Sequence, residues 1–157
     1  MPAQYSVVIP TLDSEKHIGK AIGAIRVAST ACEIIVCDGG SRDKTRDIAA
    51  SMGVIVVSSP KGRGTQLMEG FKRSKGEIII FMHSDTLISP KAFDILENHF
   101  IKRNMRVGKF YLMFDRLSWL LSAYAGMAKI DSFWTSFGDQ GIVIRRDFFE
   151  AIGGFPD

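Results

Sequence analysis

With 157 residues, 46% of them apolar and 24% charged, the chain carries enough hydrophobic material for one packed domain, which excludes a disordered segment. A net charge of +3, with the 20 Lys and Arg scattered along the chain, excludes a nucleic-acid binder, although a mildly basic surface suits an anionic ligand. No signal peptide is visible and no apolar run reaches the roughly 20 residues that span a bilayer, so a cytoplasmic location is expected.

Strand and helix patterns alternate from the start. Ser6 to Ile9 predicts a first strand, stopped by Pro10. A helix follows with Ile18, Ala21, Ile22, Ile25 and Ala28 at helical spacing, capped by Asp13 or Ser14. Glu33 to Cys37 predicts a second strand, closed by the turn Asp38-Gly39-Gly40-Ser41. A second helix, from about Asp43 to Met52, buries Ile48, Ala49 and Met52 and ends at Gly53. Val54 to Val57 is the third strand, Ser58 to Gly64 a polar loop, and the next helix places Leu67, Met68 and Phe71 on one face. Ile78 to Met82, five apolar residues in a row, reads as a strand buried on both faces.

Ser89 and Pro90 sit at the cap and first position of a helix that turns Phe93, Leu96 and Phe100 inward. Val107 to Phe114 predicts an antiparallel or edge strand, and Arg116 to Ile130 an apolar helix. Gly141 to Ile144 is a last strand, before a short helix from Asp147 to Ile152 and the turn Gly153-Gly154. Such alternation implies an α/β fold, a mainly parallel sheet with helices on both faces, in one domain over residues 1–157. Cys32 and Cys37 lie on or beside one short strand and cannot easily meet, so both are read as reduced core thiols. The absence of a His or Cys pair near them argues against zinc.

In an open parallel sheet, ligands bind just past the carboxyl ends of the strands. Three of the predicted strands end in polar groups, and these should share one sheet edge. Asp38 can accept hydrogen bonds from a ribose or base, while Gly39 and Gly40 let backbone approach a ligand closely. Arg63 has the fork geometry that suits phosphate. In His83-Ser84-Asp85, Asp85 can hold a divalent cation against phosphate oxygens. Each residue also has an ordinary reading: Asp38 and Ser41 as turn residues, Arg63 as a solvated charge, Asp85 as a cap. The turn after the first strand contains no glycine, which argues against a dinucleotide fingerprint, and a Gly-Lys-Ser/Thr P-loop is absent.

Four segments carry a resemblance: Val7 to Asp13; Glu33 to Ser41 with Asp43 and Thr45; Gly76 to Thr86; and Gly138-Asp139-Gln140-Gly141 through Arg145-Arg146 to Gly153-Gly154-Phe155. In this order the chain resembles a family 2 glycosyltransferase with the GT-A fold, a three-layer α/β/α domain that binds a nucleotide-sugar. The His-Ser-Asp-Thr and Gly-Asp-Gln variants look most like the bacterial radical-SAM/selenodomain-associated subgroup. The resemblance implies sugar transfer from a nucleotide-diphosphate donor to an acceptor hydroxyl, metal-dependent and inverting.

By the same resemblance, Pro10, Thr11 and Asp38 would line the nucleoside site, with Gly40 and Ser84 also at the donor. Arg63 would lie near the diphosphate, and Asp85, with His83, would hold Mg²⁺ or Mn²⁺. Two departures stand out. Gly39 occupies the place where the family often has a second Asp that reads the base, and His83 replaces the first Asp of Asp-x-Asp. The family's usual general base lies beyond the Gly-Gly-Phe turn, where this chain stops, so a truncated family domain is expected and Asp139 is the replacement considered within the chain. Asp139 also reads as a turn residue.

Trp119, Tyr124 and Trp134 leave two readings open, an acceptor platform or membrane-interface contact on the one hand and ordinary core packing on the other. Apolar surface exposed by truncation would favour a homo-oligomer. A non-catalytic nucleotide-binding or assembly module and a nucleotidyltransferase are the rival functions. The latter more typically has a Gly-rich, Lys-containing loop after the first strand, which is absent here.

Overall fold

The structure is a computed structural model that describes residues 4–110 and 141–155. In chain order the elements are β1 (Tyr5–Thr11), α1 (Ile18–Ala28), β2 (Cys32–Asp38), α2 (Thr45–Ser51), β3 (Ile55–Ser58), α3 (Arg63–Arg73), β4 (Ile78–Phe81), α4 (Ala92–Ile95), β5 (Val107–Lys109), β6 (Ile142–Arg145) and α5 (Arg146–Ala151). A π-helical stretch, Leu96–Ile101, continues α4. The strands form one sheet in the order β3-β2-β1-β4-β6-β5. β1 pairs in parallel with β2 and β4, β2 pairs in parallel with β3, and β6 runs antiparallel to both β4 and β5. The edge position and antiparallel pairing expected of the Val107 strand are both found.

Every central strand alternates its side chains between two packed faces, so apolar runs look continuous in sequence. Val7, Ile9, Ile34, Val36, Ile78 and Ile80 meet Ile18, Ile22 and Ile25 of α1, with Phe93, Leu96 and Phe100, on one face. Val8, Ile35, Cys37, Ile79 and Phe81 meet Leu67 and Phe71 of α3 and Phe149 of α5 on the other. Helices thus cover both faces, which gives the expected three layers. Both cysteines are free, and burial, with the nearby Glu69 charge, pushes the Cys37 thiol up to about 12, so it is a core group rather than a nucleophile. None of the helices among the described residues is long and apolar enough to cross a membrane.

Several local expectations are corrected. β1 does not stop at Pro10. The carbonyls of Gln4 and Val8 accept from Ile78 and Met82, so the even-numbered residues of β1 turn their main-chain groups toward β4. β4 ends at Phe81, so Pro10 directs its missing N–H past the paired region, and Thr11 still pairs with Asp38 of β2. Neither Asp13 nor Ser14 caps α1 through its side chain; the Ser14 carbonyl accepts from His17 and Ile18 instead. α2 begins at Thr45, and Ile48 and Met52 are only half-buried. Ser89 and Pro90 lie in the turn before α4. Arg63 and Gly64, expected in a loop, form the first turn of α3.

That last correction matters for position. A crossover helix runs against its parallel strands, so α3 begins at the carboxyl edge of the sheet. It lies flush on β1 and β2, because a Cβ at Gly70 would fall 2.3 Å from Val8 Cγ1 and 2.6 Å from Cys37 Sγ. Arg63 is thereby held over the strand ends. β1 leads leftward to β2 and β3, whereas β4 returns to its other side, so the sheet's switch point lies between β1 and β4.

Candidate functional site

Around that switch point the structure gathers Pro10 and Thr11 at the end of β1, Asp38 and Gly40 at the end of β2, Arg63 at the start of α3, and His83, Ser84 and Asp85 after β4. Asp139 lies outside the described residues, as do Trp119, Tyr124, Trp134 and the expected helix over 116–130.

Asp38 is 1% exposed and its carboxylate is occupied by its own loop. Oδ2 accepts from the amides of Gly40 (3.1 Å) and Ser41 (3.0 Å), and Oδ1 accepts from the Ser41 hydroxyl. The Thr11 hydroxyl lies 3.5 Å from Oδ1, and Arg46 Nε stands 4.0 Å from Oδ2. This Asx-type turn needs Gly40 in the left-handed region, at φ 95°, where a side chain would be strained. In this state Asp38 shapes the loop and presents backbone, with few lone pairs left for a ligand.

The β1 and β2 loops are laced together. Asp13 N–H donates to Ser41 Oγ (2.9 Å), Ser14 N–H to Thr45 Oγ1 (2.7 Å) and Glu15 N–H to Asp43 Oδ2 (3.0 Å). In return, Arg42 N–H donates to Asp13 Oδ1 (2.8 Å) and Lys44 N–H to Glu15 Oε2 (3.1 Å). Asp13 itself takes φ 49°, a left-handed turn that Asp tolerates better than most residues. Desolvation pushes the Asp43 carboxyl up, but the hydroxyl of Thr45 and the amides of Glu15, Thr45 and Asp43 outweigh it and hold the group below its ordinary value. Alternation of small polar side chains at Ser41, Asp43 and Thr45 was the visible trace of this lacing in the sequence.

The third loop is more open. Ser84 Oγ donates to Ser14 Oγ (3.0 Å), joining the β4 loop to the β1 loop across the switch point. The guanidinium of Arg63 contacts His83 Nε2. A donor placed there takes the same lone pair that a metal ion would need. Asp85 is exposed. Among the described residues no three His, Cys, Asp or Glu side chains converge to form a metal cage. One exposed carboxylate is nevertheless a fitting ligand for Mg²⁺ or Mn²⁺, hard cations that take the rest of their oxygens from phosphates and water.

Gln66 was not anticipated. It is 5% exposed, one turn into α3, and its Nε2 donates to the carbonyls of Thr11 (2.7 Å) and Cys37 (2.8 Å). The signal was present, since Gln66, Leu67, Gly70 and Phe71 fall on one helical stripe and a polar residue there must find partners.

The profile of the family described as Glycosyl transferase family 2 matches residues 6–148. Glucosyl-3-phosphoglycerate synthase of Mycolicibacterium paratuberculosis is 38% identical over 96 residues, covering 54% of this chain and 29% of the relative. Among solved structures, S. aureus TarS in complex with UDP-GlcNAc superposes with a TM-score of 0.73 at 19% identity, over 99% of this chain and 49% of that one. Glucosyl-3-phosphoglycerate synthase from Mycobacterium tuberculosis, in complex with Mn²⁺, UDP and glucosyl-3-phosphoglycerate, gives a TM-score of 0.69 at 24% identity, over 92% and 57%. At such identities the structural likeness is one of fold, and it is the GT-A-type fold expected above. The chain spans under a third of the curated relative and about half of the solved ones. A three-layer sheet with its polar groups at the β1/β4 switch point, matched by the family profile over nearly its whole length, makes the chain a member of glycosyl transferase family 2.

Proposed function

We propose that this chain forms the donor-binding part of a glycosyltransferase that moves a sugar from a nucleoside diphosphate to an acceptor hydroxyl, with inversion. The observation that carries the reading is the convergence of Thr11, the Asp38–Ser41 turn, Arg63 and the His83–Asp85 loop on one carboxyl edge of a parallel sheet. Pro10, Thr11, Asp38 and Gly40 form the nucleoside end, where backbone groups shaped by Asp38 meet the ligand. Arg63, at the positive end of α3, binds the diphosphate. Ser84 holds the β4 loop against the β1 loop, so that Asp85 faces the same ligand.

Asp85, rather than His83, is the residue assigned to Mg²⁺ or Mn²⁺, because His83 already accepts from Arg63. A cation bound there would neutralise charge on the leaving diphosphate. Arg63 supplies a second, permanent positive charge to the same group, and His83 orients it. Removal of the acceptor proton requires a carboxylate near its hydroxyl, and Asp139 is the residue we assign within this chain. The complexes of the two structural neighbours with UDP or UDP-GlcNAc support uridine diphosphate as the first nucleotide to try.

Calorimetric titration with a panel of nucleoside diphosphates, with and without Mn²⁺, tests this reading. Saturable binding of one nucleotide that requires the metal is expected. Absence of binding by every member of the panel overturns the donor site.

A further inference from the structure

Position 39 is glycine for a reason that lies outside its own backbone. Gly40, beside it, has a left-handed φ, but Gly39 does not. An ordinary L-residue could adopt the backbone at position 39. What crowds a side chain there is the Gln66 amide, whose Cδ, Nε2 and Oε1 would lie 3.1, 3.1 and 3.2 Å from a Cβ built on Gly39 and would have to give way. The amide lies flat over the turn. It cannot easily swing aside, because Nε2 is anchored to two buried carbonyls at the ends of β1 and β2. The Gly39 amide also donates to one of those carbonyls, that of Thr11, at 2.9 Å. Gly39 and Gln66 therefore share one small volume at the nucleoside end, and Gln66 sits one turn along the helix from Arg63.

We propose that Gln66 is a positioning residue that sets base selectivity: by filling the space above Gly39 it keeps the nucleoside end free of a base-reading side chain, so that positions 39 and 66 act as one exchangeable pair. This rests on the donor-site reading above. With the pair as it stands, the base meets backbone groups of the Asp38–Ser41 turn, and contacts of that kind discriminate less between bases than a carboxylate would. Shortening residue 66 opens the volume for a side chain at 39.

The test compares the parent chain with Gly39→Asp, Gln66→Ala and the double variant. Each is titrated with the diphosphates of uridine, guanosine, adenosine and cytidine in the presence of Mn²⁺, and the Tm of each is measured. Gly39→Asp alone is expected to weaken the preferred nucleotide about tenfold and to lower Tm. Adding Gln66→Ala should recover affinity to within about threefold and change the rank order of the bases, a change that lost packing alone does not produce. Where Gly39→Asp does not fold, Gly39→Ala tests the same clash with a single carbon. The proposal is overturned if the parent binds a nucleotide but the position-39 penalty is the same with Gln and with Ala at 66, or if the base order never changes. Failure of the parent to bind any nucleotide overturns the selectivity role together with the donor site, an outcome distinct from the first two.

Discussion

The two ends of the site are built on opposite principles. At the proposed nucleoside end, Thr11 and Asp38 are almost fully buried, and the β1 and β2 loops exchange five hydrogen bonds between amides of one and side chains of the other. At the proposed phosphate end, Arg63 and Asp85 are exposed, and the β4 loop is tied back by Ser84 to Ser14 and by His83 to Arg63. Buried polar groups must be paired on folding, so the nucleoside end is shaped before any ligand arrives. Charged groups can stand in water at little expense, so the phosphate end can be completed by the ligand itself. Stability and binding should therefore separate along this line.

The largest loss of stability is expected from Asp38→Ala. It leaves the amides of Gly40 and Ser41 and the Ser41 hydroxyl without their acceptor, and should cost about 3 kcal/mol in denaturant unfolding. A loss below about 1 kcal/mol would mean that the turn is not held in the way described. A smaller effect is expected from acid. The Asp43 carboxyl is depressed in the folded state, so its contribution is fully present above its ordinary value of 3.8 and disappears as pH falls through the lower folded value. Tm measured against pH should fall more steeply below pH 3.8 for the parent chain than for Asp43→Asn; parallel curves would remove Asp43 from the lacing. The smallest effect on stability belongs to Asp85→Ala, expected within about 0.5 kcal/mol of the parent because the side chain is exposed. Yet Asp85→Ala should abolish the Mn²⁺-dependent part of nucleotide binding. Unchanged affinity with Mn²⁺ present would take Asp85 out of the site, and a large loss of stability would blur the contrast between the two ends.

Much of the site was legible because chemistry and punctuation coincide. Asp38, Gly40 and Asp85 stand just after apolar runs, and the parallel sheet sends such positions to one edge, where Arg63 arrives at the start of α3. Gln66 is masked in the sequence by the apolar members of its stripe, Leu67 and Phe71, although a buried glutamine beside them demands partners. The first turn of α3 reads as loop in the sequence because Gly62 and Gly64 have poor helix propensity, yet the helix begins at Arg63. Asp13 and Ser14 read as caps, but the Asp13 carboxylate accepts from Arg42 and the Ser14 amide donates to Thr45, while the Ser14 hydroxyl bonds Leu12 and Ser84.

Sequence alone determined the order of elements and the three-layer α/β class, because buried parallel strands need long apolar runs and helices need periodic ones. It also determined which strand ends carry polar chemistry. Only the tertiary structure decided which of those groups face inward. Asp38 and Asp85 both stand at the carboxyl end of a parallel strand, yet one is buried and bonded within its own loop and the other stands in solvent. The bonds that hold Asp38 are local, to Gly40 and Ser41, but its burial depends on neighbours distant in sequence, Thr11 of β1 among them. Packing of α3 on β1 and β2 presses Gln66 onto Gly39, whereas the β4 loop leaves the sheet beyond its last paired residue. Hydrogen-bond partners are chosen by proximity in three dimensions, which local pattern does not encode.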